Sequence, residues 1–353
     1  MQECTKLITI LGKTASGKSE LAVFLAHYIK KHKLSGYQGA EIISADSRQV
    51  YKYLDIGTNK VSGNRKLLSG STAKYYIYKH IIHHCIDFVH PRKTYTTAEY
   101  QVCAKKAIAE IINRNNIPIL VGGTGLYIQA VTDGLVLPEV SPNKKLRALL
   151  EKKSTRQLFA VLQKLDPERA NNIDSKNPRR LIRAIEILKA TRKPIPALNF
   201  HTEFETLFIG IKKGDAELKH ALAVRSKKQI PGLLREIKLL LDMRISKKRI
   251  RELGFEYSLA LAYLEARLPS QLKRFVSNTF GFGSPTSDEI CRKSDFRMLV
   301  DNLIRENWQY TKRQMTWFKK NKRIQWVSTQ KQALVQIKKF LLKSDFNIDS
   351  VHN

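Results

Sequence analysis

Residues 7–21, LITILGKTASGKSEL, constrain this chain more than any other stretch. Ile8, Ile10 and Leu11 sit in a short branched apolar run that reads as a buried strand. Gly12-Lys13-Thr14-Ala15-Ser16-Gly17-Lys18-Ser19 follows and fits G-x-x-x-x-G-K-[ST], the P-loop of ATP-binding and other nucleotide-binding proteins. Leu21, Ala22, Leu25 and Ala26 then recur at helical spacing. Strand, glycine loop and helix is the context this motif requires. Gly12 and Gly17 let backbone N–H groups converge on phosphate oxygens, and the helix N-terminus adds its partial positive charge. Lys18 would reach the terminal phosphates as a point charge, and Ser19 would ligate Mg²⁺. The alternative is a chance glycine turn between a strand and a helix.

A second strand is predicted at 41–45 (EIISA), ending in Asp46-Ser47-Arg48-Gln49-Val50-Tyr51. Residues 62–80 are rich in Ser, Gly and Lys, then in Tyr, and read as an extended loop. Ala98, Val102, Ala104, Ala107, Ile108, Ile111 and Ile112 predict a helix over 96–113. A third buried strand, 117–121, leads into Gly122-Gly123-Thr124-Gly125. Strands alternating with helices predict an α/β parallel sheet. After Pro138 the texture changes: residues 141–195 are charged and helical in period, with prolines at both ends. Residues 207–211 (LFIGI) read as a strand returning to the sheet. Helices are expected at 215–243, 246–266 and 294–321, a loop at about 268–292, and a last strand at 324–327. The predicted fold is an α/β P-loop parallel-sheet core with a helical insertion domain. Residues 1–137 form the first part of the core, 138–203 the insertion, and 204–353 the return to the core and the C-terminal helices.

In such a sheet, ligands sit at the carboxyl ends of the strands. Three loops fall there: 12–19, 46–51 and 122–125. A nucleotide hydrolase normally offers a magnesium-holding Asp after another buried strand. Here the strand at 117–121 ends in Gly-Gly-Thr, which weakens the ATPase reading. Asp46 could accept a proton from a nucleophile attacking near the phosphates. It could equally be a turn or helix N-cap. A small-molecule kinase shares all three loops, but such kinases are usually about half this length.

Charge supplies the second clue. Sixty-three Lys and Arg against 31 Asp and Glu give a net charge of +32, which points to a polyanion such as nucleic acid. A generally lysine-rich proteome would give the same bias. Arg180 and Arg183 share a helix face; a solvated face is the usual explanation of such a cluster, but the net charge favours contact with RNA phosphate. Cys4, Cys85, Cys103 and Cys291 are scattered without a CxxC pair and are expected to be reduced thiols. His83 and His84 read as structural, and Trp308 and Trp317 as core residues. No run has the length of a membrane span, and the first residues do not read as a signal peptide.

Six segments in order resemble the tRNA dimethylallyltransferases (tRNA isopentenyltransferases), over most of the chain. They are GKTASGKS; DSRQVY with DIGT; HHCID with YTTAEY; VGGTGLY; NPRRLIRAIE at 177–186; and YTKRQMTWF at 310–318. The resemblance implies transfer of a dimethylallyl group from dimethylallyl diphosphate to N6 of the adenosine at position 37 of tRNA, with Mg²⁺. By resemblance, Asp46 takes the N6 proton, and Thr14, Lys18 and Arg225 stabilise the departing diphosphate held by residues 12–19. It likewise assigns tRNA contacts to Asp46, Ser47, Arg48, Gln49, Thr124, Arg147, Arg179, Arg180, Leu181, Ile182, Arg183, Arg251, Gly254 and Phe255. The target base must leave its stack to reach such a pocket. Lys13 stands where the family has proline, Ala221 where it often has a second arginine, and Phe255 where tyrosine is usual. The absence of cysteine after Cys291 matches the shorter bacterial type, without a zinc finger. A cytoplasmic monomer with the tRNA anticodon stem-loop as partner is expected. A free-nucleotide isopentenyltransferase and an RNA-binding protein with a vestigial P-loop remain as rivals.

Overall fold

The computed structural model describes residues 5–67, 74–136, 138, 140–195, 200–267 and 288–342, with the side chains of 267 and 288–294 excepted. The chain divides into two compact units, Met1–Thr132 with Glu203–Asn353, and Asp133–Thr202. In chain order the first unit begins with β1 (Thr5–Gly12), α1 (Lys18–His32), β2 (Gly39–Ala45), β3 (Asn64–Leu67), β4 (Lys74–Tyr78), β5 (Ile81–His84), α2 (Thr97–Asn113), β6 (Asn116–Gly122) and α3 (Gly125–Thr132). The second unit contains α4 (Lys144–Leu150), α5 (Thr155–Leu165), α6 (Pro167–Asn171) and α7 (Pro178–Thr191). The first resumes with β7 (Phe204–Ile211), α8 (Asp215–Asp242), α9 (Lys247–Glu252), α10 (Phe255–Arg267), α11 (Asp288–Phe318), β8 (Gln325–Val327) and α12 (Gln330–Leu342).

Among the described residues the strands form one eight-stranded sheet, in the order β3-β4-β5-β2-β6-β1-β7-β8. The six strands from β5 to β8 run parallel, and β3 and β4 add an antiparallel edge. Alternation in β1 sets the two faces. Leu7 and Leu11 pack with α2, α8 and α10, whereas Ile8 and Ile10 pack with α1 and α12. Both faces are covered, as parallel strands require. Leu11 and Ala45 both pair with Gly122, so β1, β2 and β6 end level. That register brings the three loops predicted from sequence to one edge of the sheet.

Two local expectations are corrected. Residues 62–80 are not one extended loop: β3 and β4 pair antiparallel, with Arg65 opposite Tyr76. Tyr76 is buried, and its hydroxyl donates to Val61 O and accepts from Gly63 N. β3 is exposed along its whole length and carries no apolar alternation to announce it. The helix expected over 246–266 is two helices, α9 and α10, interrupted at Leu253 and Gly254. The loop expected at about 268–292 lies mostly outside the described residues, although 288–292 already belong to α11. Cys85 and Cys103 are free thiols.

A buried ionic cluster fastens β2 to its neighbours. The Glu41 carboxylate accepts from Arg114 at 2.8 and 2.9 Å and from Asn116 at 2.8 Å, and lies 2.7 Å from His84 Nε2. Burial works to raise its pKa, but hydrogen bonds from His84, Arg114 and Asn116 outweigh it and hold the carboxyl at about 2. The folded pKa lies below the unfolded one. The stability from Glu41 is therefore complete above the ordinary carboxylate range and is lost as pH falls toward 2. Glu41→Gln should cost about 3 kcal/mol at neutral pH and much less near pH 2, read from urea unfolding at the two pH values.

The second unit has its own core of Leu158, Leu162, Leu181, Ile182, Ile185 and Leu188. Its helices start on side-chain caps from Asn143, Ser154, Asp166 and Asn177. Leu181 and Ile182, expected among the RNA contacts, have their side chains packed in this core. They sit on the apolar stripe of α7, so their side chains serve the packing of this unit.

Candidate active site

The P-loop takes its shape from unusual backbone angles. Gly17 caps α1 at φ +92°, a region that glycine enters without steric cost, and Ala15 is held at φ +64°. Ser16 Oγ is buried without a hydrogen-bond partner and lies close to Gly12. A buried orphan hydroxyl is costly unless something satisfies it, and an anion held by the loop would do so. Lys18 Nζ donates to Lys13 O at 2.7 Å. Burial pulls the Lys18 ammonium down to about 8, with Asp46 raising it and Arg225 lowering it. An incoming anion would restore that charge.

Two side chains lash the three loops together. Gln314, on α11, accepts from Thr14 N at 2.9 Å and from Thr14 Oγ1 at 3.2 Å, and donates to Gly123 O at 3.0 Å. A Cβ at position 123 would collide with the Gln314 amide, so the close approach needs glycine there. Thr124 Oγ1 accepts from Ser47 N at 3.1 Å, while Thr124 N donates to Ala45 O at 3.2 Å. Asp46 follows β2 directly. Its Oδ1 accepts from Arg48 N at 2.8 Å and Gln49 N at 3.3 Å, so the carboxylate caps the turn. Only Oδ1 is used that way, so the cap does not engage Oδ2.

Charges gather around Asp46. Arg225 Nη2 donates to Asn307 Oδ1 at 2.7 Å, and its Nε is buried without a partner. Burial lowers the Arg225 pKa against the pull of Glu256 and Asp46. The Glu256 carboxyl is pushed up to about 7 by burial, with Arg225 and Arg48 opposing. The Tyr310 hydroxyl is raised to about 12 by burial and by Asp46, with Thr124 and Arg48 opposing. Phe255 packs against Tyr310 with ring centroids 6.3 Å apart. Lys18, Arg225 and Tyr310 are thus all electrostatically coupled to Asp46, at the end of β2 beside the P-loop.

A family model described as IPP transferase matches residues 49–321. A tRNA dimethylallyltransferase from Carboxydothermus hydrogenoformans is 34% identical over 342 residues, which is 94% of this chain and 94% of the relative. The chain belongs to the IPP transferase family. A tRNA isopentenylpyrophosphate transferase from Bacillus halodurans has a similar structure, with a TM-score of 0.58, 28% identity and 96% of each chain covered. A eukaryotic dimethylallyltransferase acting on tRNA shares the fold at a TM-score of 0.60 and 22% identity, over 97% of this chain and 79% of that one.

Several parts of this IPP transferase's site were hidden in the sequence. Gln314 and Asn307 were not singled out, although Asn307, Thr311 and Gln314 are all buried on α11 at helical spacing. A polar stripe on a buried helix face was the available signal. Gln49, to which the resemblance assigns a tRNA contact, donates its amide to Thr58 O at 3.2 Å and Asn59 O at 3.3 Å. Arg48 Nη1 donates to Glu252 O at 2.9 Å, and Arg251 pairs with Glu265 at 2.6 Å. In the second unit, Arg147 and Arg183 both clamp buried Glu186, each at 2.7 Å, while Arg179 and Arg180 are exposed. Trp317 lies against the core, whereas Trp308 is half-buried at the wall of a cleft, which corrects its expected core position.

Magnesium fits the donors present. Among the described residues no three His, Cys, Asp or Glu side chains form a metal cage. A P-loop cation is held instead by one hydroxyl, water and the ligand's own phosphates. Ser19, on the first turn of α1, is the residue whose hydroxyl would fill that role.

Proposed function

We infer that this chain is a tRNA dimethylallyltransferase, a transferase that moves a dimethylallyl group from dimethylallyl diphosphate to N6 of adenosine 37 in tRNA. The products are N6-isopentenyladenosine and diphosphate. The observation that carries the reading is the meeting of Asp46 with Lys18 and Arg225 at the carboxyl edge of β1, β2 and β6. In this reading Asp46 accepts the N6 proton as nitrogen attacks the allylic carbon. Residues 12–19 hold the diphosphate, with Thr14 positioned by Gln314. Lys18 and Arg225 meet the negative charge that grows on the leaving oxygen. Mg²⁺ at Ser19 would neutralise part of the same charge. Gln314→Leu would leave Thr14 N and Gly123 O unpaired, and should raise KM for dimethylallyl diphosphate about tenfold, read from initial rates.

The smaller unit is proposed as the tRNA-binding insertion, with exposed Arg179 and Arg180 as phosphate contacts. Arg180→Ala should weaken anticodon stem-loop binding and lower the salt slope by about 0.7–0.9, the increment of a single neutralised phosphate, leaving the melting temperature unchanged. Arg183→Ala should lower the melting temperature instead, because it strips one partner from buried Glu186. Equal melting temperatures for the two variants would return Arg183 to the RNA-contact set. Among the described residues no helix is long and apolar enough to cross a membrane, and a tRNA substrate supports action in the cytoplasm.

The direct test is mass spectrometry of an anticodon stem-loop incubated with the protein, dimethylallyl diphosphate and Mg²⁺. A dimethylallyl mass gain on adenosine 37 is expected. Gain on free AMP and none on RNA would move the chain to the free-nucleotide transferases.

A further inference from the structure

One cleft of the larger unit lies beside this chemistry and shares Lys13 with the P-loop. It encloses about 310 Å³, and its walls include Lys13, Asp215, Trp308, Thr311 and Lys312. That is near the lower limit for small-ligand pockets. Three ammonium groups from distant parts of the chain crowd the Trp308 ring. Lys219 Nζ is 4.9 Å from its centroid, Lys13 Nζ 5.9 Å and Lys312 Nζ 6.0 Å.

Asp215 is the one carboxylate among the described residues of these walls, and it pairs with Lys13 at 2.5 Å. The hydrogen bond from Lys13, and the charges of Lys13, Lys219 and Lys312, hold its carboxyl below the ordinary range. Lysines on a solvated face splay apart, because like charges repel and water solvates each ammonium. Here P-loop, α8 and α11 turn theirs toward one ring, with one anion to balance three cations. Lys319 adds a further lysine to the lining. The cleft also adjoins the P-loop, since Lys13 lines it while the Lys13 carbonyl accepts Lys18 Nζ.

We propose that this lysine-walled cleft beside Trp308 is a second anion site, which binds a phosphate or diphosphate group next to the P-loop. The proposal rests on the reading of the P-loop as a diphosphate site. The free diphosphate is the occupant favoured by adjacency and size. A backbone phosphate of the bound tRNA has the same chemistry. In either case the cleft raises the local concentration of the anion and speeds its capture.

The test uses the full chain and inorganic diphosphate as the probe, titrated calorimetrically at low salt. Wild type should bind two per chain. The double variant Lys219→Ala with Lys312→Ala should bind one, at the P-loop, with association about tenfold slower at low salt. Both lysines are exposed, so folding should be unaffected. Lys18→Met should remove the other class and keep the cleft. If the double variant binds diphosphate as wild type does but loses stem-loop affinity with a reduced salt slope, the occupant is tRNA phosphate. Unchanged diphosphate and stem-loop binding in the double variant overturns the proposal. Failure of the underlying P-loop reading would look different, with Lys18→Met leaving diphosphate binding intact.

Discussion

Asp46→Asn should lower the rate of dimethylallyl transfer by about 10²–10⁴-fold, while tRNA affinity and thermal stability stay near those of wild type. The choice of asparagine follows from the two roles the carboxylate carries. Asp46 Oδ1 caps the turn through Arg48 N and Gln49 N, and an Asn Oδ1 can do the same. What asparagine lacks is a basic oxygen to accept the N6 proton. Asp46→Ala removes both the cap and the base, and should lose transfer together with about 1 kcal/mol of stability. If Asp46→Asn turned over normally in single-turnover assays while Asp46→Ala failed, Asp46 would be a cap alone. The sequence left those two readings equal, and the pair of variants separates them.

Lys18→Met should show the opposite balance of stability and activity. Methionine keeps much of the length of lysine and removes the charge. The folded protein without ligand buries an ammonium whose pKa has been pulled down to about 8, so the charged form is disfavoured there. Removing it should stabilise the unliganded protein by on the order of 1–3 kcal/mol, read as a higher urea midpoint. Transfer should fall by about 10²–10³-fold, because a cation facing the leaving diphosphate acts where charge grows. A variant that lost activity and stability together would mean that Lys18 serves chiefly as a strut for the loop through Lys13 O. A stable protein with a strained, charged loop is the usual form of a site that holds stability back for function.

The two variants probe residues that differ in how they could be found. The strand, loop and helix around Gly12 and Lys18 were legible because each signal is local. Buried alternation in β1, the glycine positions and the periodicity of α1 lie within a few turns of chain. Asp46 and Thr124 were legible by a weaker inference, from the rule that parallel strands gather their carboxyl ends. The β3–β4 hairpin was missed because an exposed edge strand has no apolar pattern, and its placement depends on Tyr76 finding Val61 and Gly63. The resemblance assigns RNA contact to residues 179–183 as one block and so includes Leu181 and Ile182. The apolar stripe of α7, spaced for a core, argued for packing. Trp308 was read as core because tryptophan is large and apolar, although its surroundings are lysines from three segments.

The sequence by itself determined the α/β class, the phosphate-binding loop, the helical second unit and a basic surface fit for a polyanion. Each follows from the identity and spacing of neighbouring residues, which fix backbone conformation and local burial. Only the tertiary structure decided which side chains complete the site. Gln314 reaches Thr14 across 300 residues, Lys13 meets Asp215 across 202, and Asn307 holds Arg225 across 82. Those pairings depend on strand order and on the registry of α8 and α11 over one edge of the sheet. No local pattern encodes them, because the free energy that selects them comes from packing the whole core.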